Sequence, residues 1–243
     1  MIPVFNEERS LPLVLGDLPF DEVERVVVCD NGSTDRSIET AATAAPDSWR
    51  TKVEVVREIR RGYGSACQRG LARLRETGPP DVVVFLDGDY SDHPEELPAL
   101  LEPIAAGRAD FVVGSRRLGT AEKGALLPQA RFGNALAVVL IRLLTGVRYT
   151  DLGPFRAIRW EKLESLGMRD PDFGWTCEMQ MKAIAAGLRI AEVPVSYRRR
   201  VGVSKIAGTF TGSVRAGVKI LWWVLRDARA ARAGQASSSS LPA

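Results

Sequence analysis

The feature that most constrains the fold is an apolar run over residues 81–86 that ends directly at Asp87-Gly-Asp89. A short, continuous apolar run is typical of a strand buried in a parallel sheet, because helices cover both faces of such a sheet. Similar runs alternate with helical patterns through the first two thirds of the chain. Strands separated by helices form right-handed βαβ units, so the sequence predicts an α/β protein with an open, mostly parallel, twisted sheet and flanking helices.

The boundaries of the predicted elements come from apolar periodicity and from capping residues such as Pro94. The predicted strands cover residues 23–29, 53–56, 81–86, 111–113 and 189–197. The predicted helices cover residues 64–75, 95–106, 131–144, 175–188 and 209–232, and another is expected after the turn at residues 31–35. The helix predicted at 209–232 is amphipathic with a basic face, and the serine-rich tail that follows it is expected to be disordered.

Composition narrows the class of protein. The chain has 243 residues, 45% of them hydrophobic and 26% charged, which suits one soluble globular unit with a sizeable core. The formal net charge of +3 argues against a dedicated nucleic-acid binder. Three scattered cysteines predict reduced thiols, and the single histidine, His93, excludes a multi-histidine metal site. We expect no leader at the acidic N-terminus and no bilayer span, since no apolar run reaches about 20 residues.

Polar residues follow the predicted strands at the points where they end, namely Asp30, Asp87 with Asp89, and Ser115 with Arg116. The carboxyl ends of parallel strands form a ligand-binding crevice in open α/β sheets. Residues two apart in a strand point to the same side, so the Asp87 and Asp89 carboxylates can address one site. Two such oxygen donors suit Mg²⁺ or Mn²⁺ shared with substrate phosphates. The alternative is an ordinary turn rich in Asp and Gly.

Other ligand-binding loops fit less well. An EF-hand is excluded, because Asp92 and Pro98 stand where that loop needs glycine and glutamate. The segment Arg60-Arg-Gly-Tyr-Gly64 precedes a predicted helix, and its glycines would allow an anion to approach the helix N-terminus. Cys67 replaces the third glycine of a dinucleotide fingerprint, and no Walker A lysine is present. These differences argue against a dinucleotide oxidoreductase and a P-loop NTPase, and a solvated basic turn stays open as the alternative.

Several other residues could have either a ligand-binding or a structural role. Asp30 can accept hydrogen bonds from a base or ribose, or it can cap its own turn. The basic stretch 198–205 can bind phosphate oxygens, or it can be a solvated face. Asp151 and Glu178 are isolated acids that could act as a base or acceptor ligand, although Glu178 has Lys182 one helical turn away.

Together these residues resemble the family 2 glycosyltransferases, and among them the polyprenyl-phosphate sugar transferases of the dolichyl-phosphate mannosyltransferase type. The resemblance runs from the N-terminus to about Lys205. Its main carriers are the segments Ile2-Pro-Val-Phe-Asn-Glu-Glu8, Val28-Cys-Asp-Asn-Gly-Ser-Thr-Asp35, Arg61-Gly-Tyr-Gly-Ser-Ala66, Phe85-Leu-Asp-Gly-Asp89, Gly114-Ser-Arg116, Asp151-Leu-Gly-Pro-Phe-Arg156, Glu192-Val-Pro194 and Gly202-Val-Ser-Lys205.

This resemblance implies a GT-A fold. It divides the chain into a nucleotide-sugar-binding half (1–117), an acceptor half (118–205), an amphipathic helix (206–232) and a disordered tail (233–243). Asp87 and Asp89 would hold the metal, with Asp89 the stronger ligand candidate. The other implied site residues are Pro3, Phe5, Glu7 and Asp30 around base and ribose, Arg61 and Gly64 in the glycine-rich turn, Arg116, Arg131, Arg200 and Lys205 at phosphates, and Asp151 and Glu178 as acceptor-side acids.

The expected activity is metal-dependent sugar transfer with inversion, from a UDP- or GDP-sugar to a polyprenyl phosphate. A phosphate acceptor needs no strong base, whereas a hydroxyl acceptor would need Asp151 or Glu178 to take its proton. The alternatives are a soluble transferase acting on a small-molecule or glycan hydroxyl, and a non-catalytic nucleotide-sugar-binding protein. A sugar-nucleotide pyrophosphorylase is disfavoured because its glycine-rich N-terminal loop is missing.

Three departures from the family pattern bear on these expectations. The first strand begins at Ile2-Pro3, so we expect either a misassigned start codon or a short sheet edge. Ser91 stands where an amide or histidine is common, which leaves the third metal ligand open. Transmembrane helices that some relatives carry are absent. The expected location is the cytoplasm or the surface of the inner face of the cell membrane. The basic helix at 209–232, with Trp222 and Trp223, would either lie on the membrane or pack on the catalytic domain or a second subunit.

Overall fold

The computed structural model describes residues 1–202, 218–219 and 222–226. Lys205, the predicted tail and most of the predicted helix at 209–232 lie outside the described residues, and the described residues from 218 onward are helical. The strands are β1 (Ile2–Val4), β2 (Val26–Asp30), β3 (Val53–Arg57), β4 (Val82–Phe85), β5 (Phe111–Ser115), β6 (Arg156–Arg159) and β7 (Ile190–Pro194). The α-helices are α1 (Leu11–Gly16), α2 (Ser37–Ala44), α3 (Tyr63–Thr77), α4 (Leu97–Ala105), α5 (Pro128–Thr145), α6 (Trp160–Leu166) and α7 (Trp175–Ala185).

The strands form an α/β sheet in two hydrogen-bonded parts. One part has the order β1-β2-β3 and is wholly parallel, and the other has the order β4-β6-β5-β7. The two parts meet at Met1, whose amino group donates to the Val84 carbonyl at 2.7 Å and whose carbonyl accepts from the Leu86 amide at 3.2 Å. The predicted fold class is confirmed, with one exception within the sheet. Strand β6 was not predicted, and it runs antiparallel to both β4 and β5.

Within residues 1–202, the predicted elements are found at their expected places, with small shifts at their ends. The helix expected at 95–106 begins with a 3-10 turn, Pro94–Glu96, and becomes α-helical only at Leu97. Proline suits this tight first turn because it has no amide hydrogen to satisfy there. Strand β1 covers only three residues, in agreement with the short first strand read from the sequence.

Two apolar clusters cover the two faces of the sheet. One joins β2 and β5 to α3 and α7 through residues such as Cys67 and Met181, and the other joins them to α1 and α4 through residues such as Leu11 and Leu100. Strands β2 and β5 are buried along their whole length, as parallel strands between helices should be. The expectation that residues 81–86 are buried throughout is wrong in part. Val82 and Val84 are half-buried, because a groove of about 830 Å³ opens beside β4.

Candidate functional site

A cleft of about 370 Å³ lies at the carboxyl ends of β1 and β4. The loops that follow the two strands form its floor, because neighbouring parallel strands end at the same edge of the sheet. Seven residues predicted from the sequence line this cleft: Pro3, Phe5, Glu7, Arg61, Asp87, Asp89 and Arg200. The cleft therefore gathers residues that are up to 197 positions apart in the sequence (Pro3 to Arg200).

The carboxylates of Asp87 and Asp89 are both held by protein groups. The Asp89 Oδ1 atom accepts hydrogen bonds from the Ser91 amide at 2.9 Å and from the Ser91 hydroxyl at 2.5 Å. The Asp89 Oδ2 atom lies 2.9 Å from Nη2 of Arg200, which also reaches Glu7 Oε1 at 3.4 Å. The Asp87 Oδ1 atom accepts from the Tyr63 hydroxyl at 3.1 Å. Arg200 is thus the cation that partly neutralises this acidic pair.

The electrostatics of the pair favour a bound cation. Burial, and then the neighbouring Asp89 carboxylate, raise the pKa of Asp87 to about 7. Burial likewise raises the pKa of Asp92 well above its usual range, and its buried Oδ1 atom has no hydrogen-bond partner among the described residues. Crowded, desolvated carboxylates of this kind are stabilised by a divalent cation.

The donor set also limits how a metal could be held. The described residues contain no group of three or more His, Cys, Asp or Glu side chains arranged around a metal position. Mg²⁺ and Mn²⁺ are commonly bound by one or two carboxylates, with substrate phosphates and water completing the shell. The residues present therefore fit a metal that binds together with a phosphorylated substrate.

A strained backbone at Tyr90 and contacts with neighbouring loops set the position of Asp89. Tyr90, the next residue, has a φ of +63°, which a bulky L-residue rarely adopts. Its hydroxyl donates to Asp17 at 2.5 Å, and the Arg198 guanidinium lies 3.6 Å from its ring centroid. The amide of Val201 also donates to the Asp89 carbonyl at 3.0 Å. These contacts hold the basic loop that carries Arg200 against the acidic loop.

The loop after β1 and the glycine-rich turn contribute a second group of side chains to the cleft. The Arg61 guanidinium stacks 3.7 Å from the centroid of the Phe5 ring, and Pro3 lies beside them. The Glu7 carboxylate accepts from the Ser10 hydroxyl at 2.7 Å, which leaves its other oxygen directed to Arg200. This group of side chains combines a flat apolar surface with charged groups, which is suited to a base and a sugar hydroxyl.

Asp30 does not line the cleft. Its carboxylate accepts from the amides of Gly32 and Ser33 at 3.1 and 3.0 Å, and Arg57 lies 3.6 Å away. In this arrangement Asp30 caps the turn that follows β2, and its predicted contact with base or ribose stays a prediction. The neighbouring residue, Asn31, does line the cleft, and its side chain holds the turn at Arg60 and Gly62.

The glycine-rich turn is packed against the protein's own backbone. A Cβ atom on Gly64 would lie 1.9 Å from the Asp170 carbonyl oxygen, and one on Gly62 would lie 2.1 Å from the Pro171 carbonyl oxygen. The Ser65 amide, in the first turn of α3, donates to Pro171 at 2.8 Å. The Pro171 carbonyl, rather than an open anion site, therefore caps this part of the helix N-terminus. The predicted anion-binding role of Gly64 stays a prediction.

Two predicted site residues, Arg116 and Asp151, form a buried ion pair. The Arg116 side chain donates to both Asp151 oxygens at 2.7 Å, and the Arg116 amide donates to the same carboxylate at 2.9 Å. Their side chains are only 12% and 1% exposed. Neither residue lines the cleft, so their predicted roles as phosphate ligand and acid stay predictions.

Glu178 and Arg131 also lie outside the lining of the cleft. Glu178 is fully buried in α7, where its carboxylate accepts from the amides of Arg169 and Asp170 at 2.9 and 2.7 Å and pairs with Lys182 at 2.8 Å. The ion pair with Lys182 was the structural alternative considered from the sequence. Arg131 is exposed in the first turns of α5.

Sequence reasoning did not single out eight of the residues that line the cleft, among them the polar or aromatic residues Asn31, Tyr63, Asp172 and Phe173. Asn31 and Tyr63 lie within motifs that were singled out, so their position next to Asp30 and Gly64 was an available signal. Asp172 and Phe173 come from the loop between α6 and α7, and nothing in their local sequence marked them.

That loop is held by the C-terminal helical residues. The buried Asp170 carboxylate accepts from the Trp223 indole at 2.6 Å and lies 3.2 Å from Lys219 Nζ. Its other oxygen accepts from the Asp172 amide at 2.7 Å. Trp223 is 2% exposed and covers Gly174, where a Cβ atom would lie 2.5 Å from the indole ring. The wall of the cleft at Asp172 and Phe173 is thus supported from behind by residues near the C-terminus.

Comparison with known proteins gives consistent matches. The family model described as glycosyl transferase family 2 matches residues 1–167. The chain is 34% identical to an undecaprenyl-phosphate mannosyltransferase of Micrococcus luteus, over 93% of each chain. It is 32% identical to a polyprenol monophosphomannose synthase of Mycolicibacterium smegmatis, over 93% of this chain and 86% of the relative. A glucosyl-3-phosphoglycerate synthase of Mycobacterium tuberculosis, solved with Mn²⁺, uridine-diphosphate-glucose and phosphoglyceric acid, has the same fold, with a TM-score of 0.71 and 23% identity over 93% of this chain and 78% of that one.

Proposed function

This chain belongs to glycosyl transferase family 2 and is a glycosyltransferase, and we propose that it transfers a hexose, with inversion, from a nucleoside-diphosphate sugar to a polyprenyl phosphate in a metal-dependent reaction. The observation that carries the donor side is the pair formed by half-buried Asp87 and buried Asp89 in a cleft with Arg200. The polyprenyl-phosphate side is supported by two relatives above 30% identity, one named an undecaprenyl-phosphate mannosyltransferase and the other a polyprenol monophosphomannose synthase.

On the donor side, Asp87 and Asp89 would hold Mg²⁺ or Mn²⁺, which would act as a Lewis acid toward the diphosphate. Pro3, Phe5 and Glu7 are proposed to line the base and ribose pocket. Arg200 lies 2.9 Å from Asp89, so it is placed to offset negative charge that builds on the leaving diphosphate. Because Arg200 is fastened to the acidic loop through Val201, this charge is held in place before the donor arrives.

On the acceptor side, the two candidate bases, Asp151 and Glu178, both form ion pairs within the protein. Asp151 is locked by Arg116, and Glu178 is buried against Lys182 and two backbone amides. To serve as the base for a hydroxyl acceptor, either of them would have to accept a proton at the reacting oxygen. A phosphate acceptor is already anionic near neutral pH and needs no such base. The arrangement of these two residues therefore favours a phosphate over a hydroxyl acceptor.

Transfer assays with matched acceptors test this proposal. We expect label from a GDP- or UDP-hexose to reach undecaprenyl phosphate in the presence of Mg²⁺ or Mn²⁺, and we expect no transfer to the unphosphorylated polyprenol. Replacing Asp89→Ala should lower the rate by on the order of a hundredfold or more, because the change removes charge stabilisation at the diphosphate. The matched control is Asp21→Ala, at an exposed residue outside the cleft. Transfer to the free alcohol but not to the phosphate would contradict the acceptor assignment, and an active Asp89→Ala enzyme would contradict the site.

A further inference from the structure

Helix α5 carries an apolar stripe that faces solvent. Phe132, Leu136, Val139 and Leu143 are 71%, 39%, 51% and 69% exposed. They recur every three or four residues, which places them on one face of the helix over a length of about 16 Å. A continuous row of large apolar side chains on a protein surface usually marks a contact with a partner or a membrane.

The charge around this α5 stripe has one sign. Residues 117–148 contain a single acidic residue, Glu122, and five basic residues: Arg117, Lys123, Arg131, Arg142 and Arg148. The whole chain, in contrast, is nearly balanced, with 33 basic and 30 acidic residues. Arg131 and Arg142 are exposed on α5 itself. An apolar stripe edged by cations is the pattern of a helix that lies in the interface of an anionic membrane.

The same charges argue against pairing of this face with a second copy. In a two-fold symmetric contact the α5 helices would meet through the same face, so Arg131 and Arg142 of both copies would lie close together. Glu122, the single acid of this region, is already hydrogen-bonded to the Arg199 amide at 2.8 Å. Like charges without compensation oppose such a contact. An anionic lipid surface supplies the missing charge.

The inner side of α5, opposite this stripe, packs on the protein next to Asp151. The Asn134 side chain accepts from the Leu152 amide at 2.9 Å, one residue after Asp151. Ala137 and Ile141 pack into the core on that inner side. A membrane held against the stripe would therefore lie beside the part of the protein proposed to receive the acceptor.

We propose that the exposed face of α5 docks on an anionic lipid surface, with the helix lying in the plane of that surface. This inference rests on the proposed lipid-phosphate acceptor and adds the element that brings the protein to it. No helix among the described residues is long and apolar enough to cross a bilayer, so docking of α5 would be interfacial. The predicted helix at 209–232 is not needed for this contact.

Vesicle co-sedimentation of the full chain tests the proposal. The wild type should bind vesicles that contain phosphatidylglycerol and bind phosphatidylcholine vesicles more weakly. The variant Phe132→Gln/Leu143→Gln keeps good helix formers and should lower the partition coefficient at least about tenfold, since burial of one large apolar side chain is worth that factor or more. The matched control, Leu13→Gln/Ile59→Gln, removes two exposed apolar side chains outside the stripe and should bind like the wild type.

A local probe adds a second measurement. The three native cysteines are buried, so a Val139→Cys variant can be labelled selectively with an environment-sensitive fluorophore. Its emission should shift to shorter wavelength on phosphatidylglycerol vesicles, whereas the same label at Leu13→Cys should not respond. Unchanged vesicle binding of the stripe variant, with no shift at residue 139, would overturn the proposal. So would light scattering that shows a dimer dissolved by the stripe substitutions while vesicle binding persists.

A transfer assay without vesicles, combined with the vesicle-binding assay, tests the docking of α5 separately from the proposed activity. Transfer to a short-chain, water-soluble prenyl phosphate can be measured without vesicles. If the stripe variant keeps this transfer but loses vesicle binding, the docking role of α5 is supported. If transfer proceeds and vesicle binding ignores the stripe, α5 docking is overturned and the proposed activity stands. If neither the wild type nor the stripe variant transfers sugar to any prenyl phosphate, the proposed activity is contradicted. If vesicle binding still depends on the stripe in that case, the docking role of α5 is supported.

Discussion

At the residue scale, the acidic pair is held in an unfavourable state that a cation would relieve. Asp87 is half-buried beside the buried Asp89, and Arg200, which lies 2.9 Å from Asp89 on a different loop, supplies compensating charge. The hydroxyl of Tyr63 supports one Asp87 oxygen, while the buried Asp92 carboxylate adds further negative charge close by. Functional sites often concentrate such electrostatic strain, because the ligand repays it on binding.

The raised pKa of Asp87 predicts a pH-dependent gain in stability on removing its charge. The folded-state pKa is about 7, above the ordinary value of 3.8, so the folded protein is penalised once pH rises above the ordinary value, and fully so above 7. In EDTA, Asp87→Asn should therefore raise Tm at pH 8, with the gain shrinking as pH falls toward 4. Calorimetry at several pH values measures this, with the exposed Asp21→Asn as control. A gain of equal size at every pH would contradict the assignment.

At the element scale, the loop between α6 and α7 links three parts of the molecule. Its carbonyls at Asp170 and Pro171 pack on the glycines that begin α3, and its amides are capped by Glu178 of α7. Its Asp170 carboxylate binds Trp223. Because Asp172 and Phe173 of this loop line the cleft, the packing of distant helices shapes the cleft.

The Trp223 contact predicts a specific effect on donor binding. Trp223→Phe keeps an aromatic ring but removes the indole donor to the buried Asp170 carboxylate, and a lost partner of this kind costs about 1–3 kcal/mol. We expect lower thermal stability and a severalfold higher KM for the nucleotide sugar, with a smaller change in kcat. The matched control is Trp222→Phe, because Trp222 is 50% exposed and next in sequence. Equal effects of the two substitutions would show that the loop is not held in this way.

The glycine-rich turn predicts a second effect at this scale. Gly64→Ala places a methyl group 1.9 Å from the Asp170 carbonyl, so backbone must move, and overpacking of this kind typically destabilises by about 1–3 kcal/mol. Gly133→Ala in α5 meets nothing within 4 Å and should stabilise slightly through helix propensity. Urea unfolding of both variants compares them. A neutral Gly64→Ala would mean that the turn and the loop are not in contact.

At the scale of the whole molecule, the cleft is assembled from the first strand, the middle of the chain and the loop that carries Arg200. A ligand bound there contacts segments that are far apart in sequence and therefore binds the folded chain only, so it raises the free energy of unfolding by an amount set by its concentration relative to its Kd. The exposed stripe on α5 lies in the same molecule but uses a separate set of residues.

This assembly predicts stabilisation by donor and metal together. A nucleotide sugar at one hundred times its Kd should add about 2.7 kcal/mol, which for a chain of this size is roughly 5–10 °C in Tm. Thermal shifts with GDP- and UDP-sugars, each with and without Mn²⁺ or Mg²⁺, measure it. The Asp89→Ala protein should lose the metal-dependent part of the shift. Absence of a shift with every nucleotide sugar would contradict the location of the donor site.

The sequence by itself determined the local elements and the edge of the sheet where the cleft lies. Apolar periodicity predicted most strands and helices, because it depends on neighbours within a few positions. The acidic, basic and glycine-rich motifs at strand ends predicted seven of the residues that line the cleft, since parallel strands end at one edge.

Tertiary structure alone decided which side chains face one another. Arg116 and Asp151 are 35 positions apart, and Asp170 and Trp223 are 53 apart, so no local pattern pairs them. The direction of β6 and the use of Asp172 and Phe173 as a cleft wall likewise follow from packing. The physical reason is that burial and ion pairing are set by the whole fold, which turns two candidate bases into locked carboxylates and leaves one face of α5 exposed.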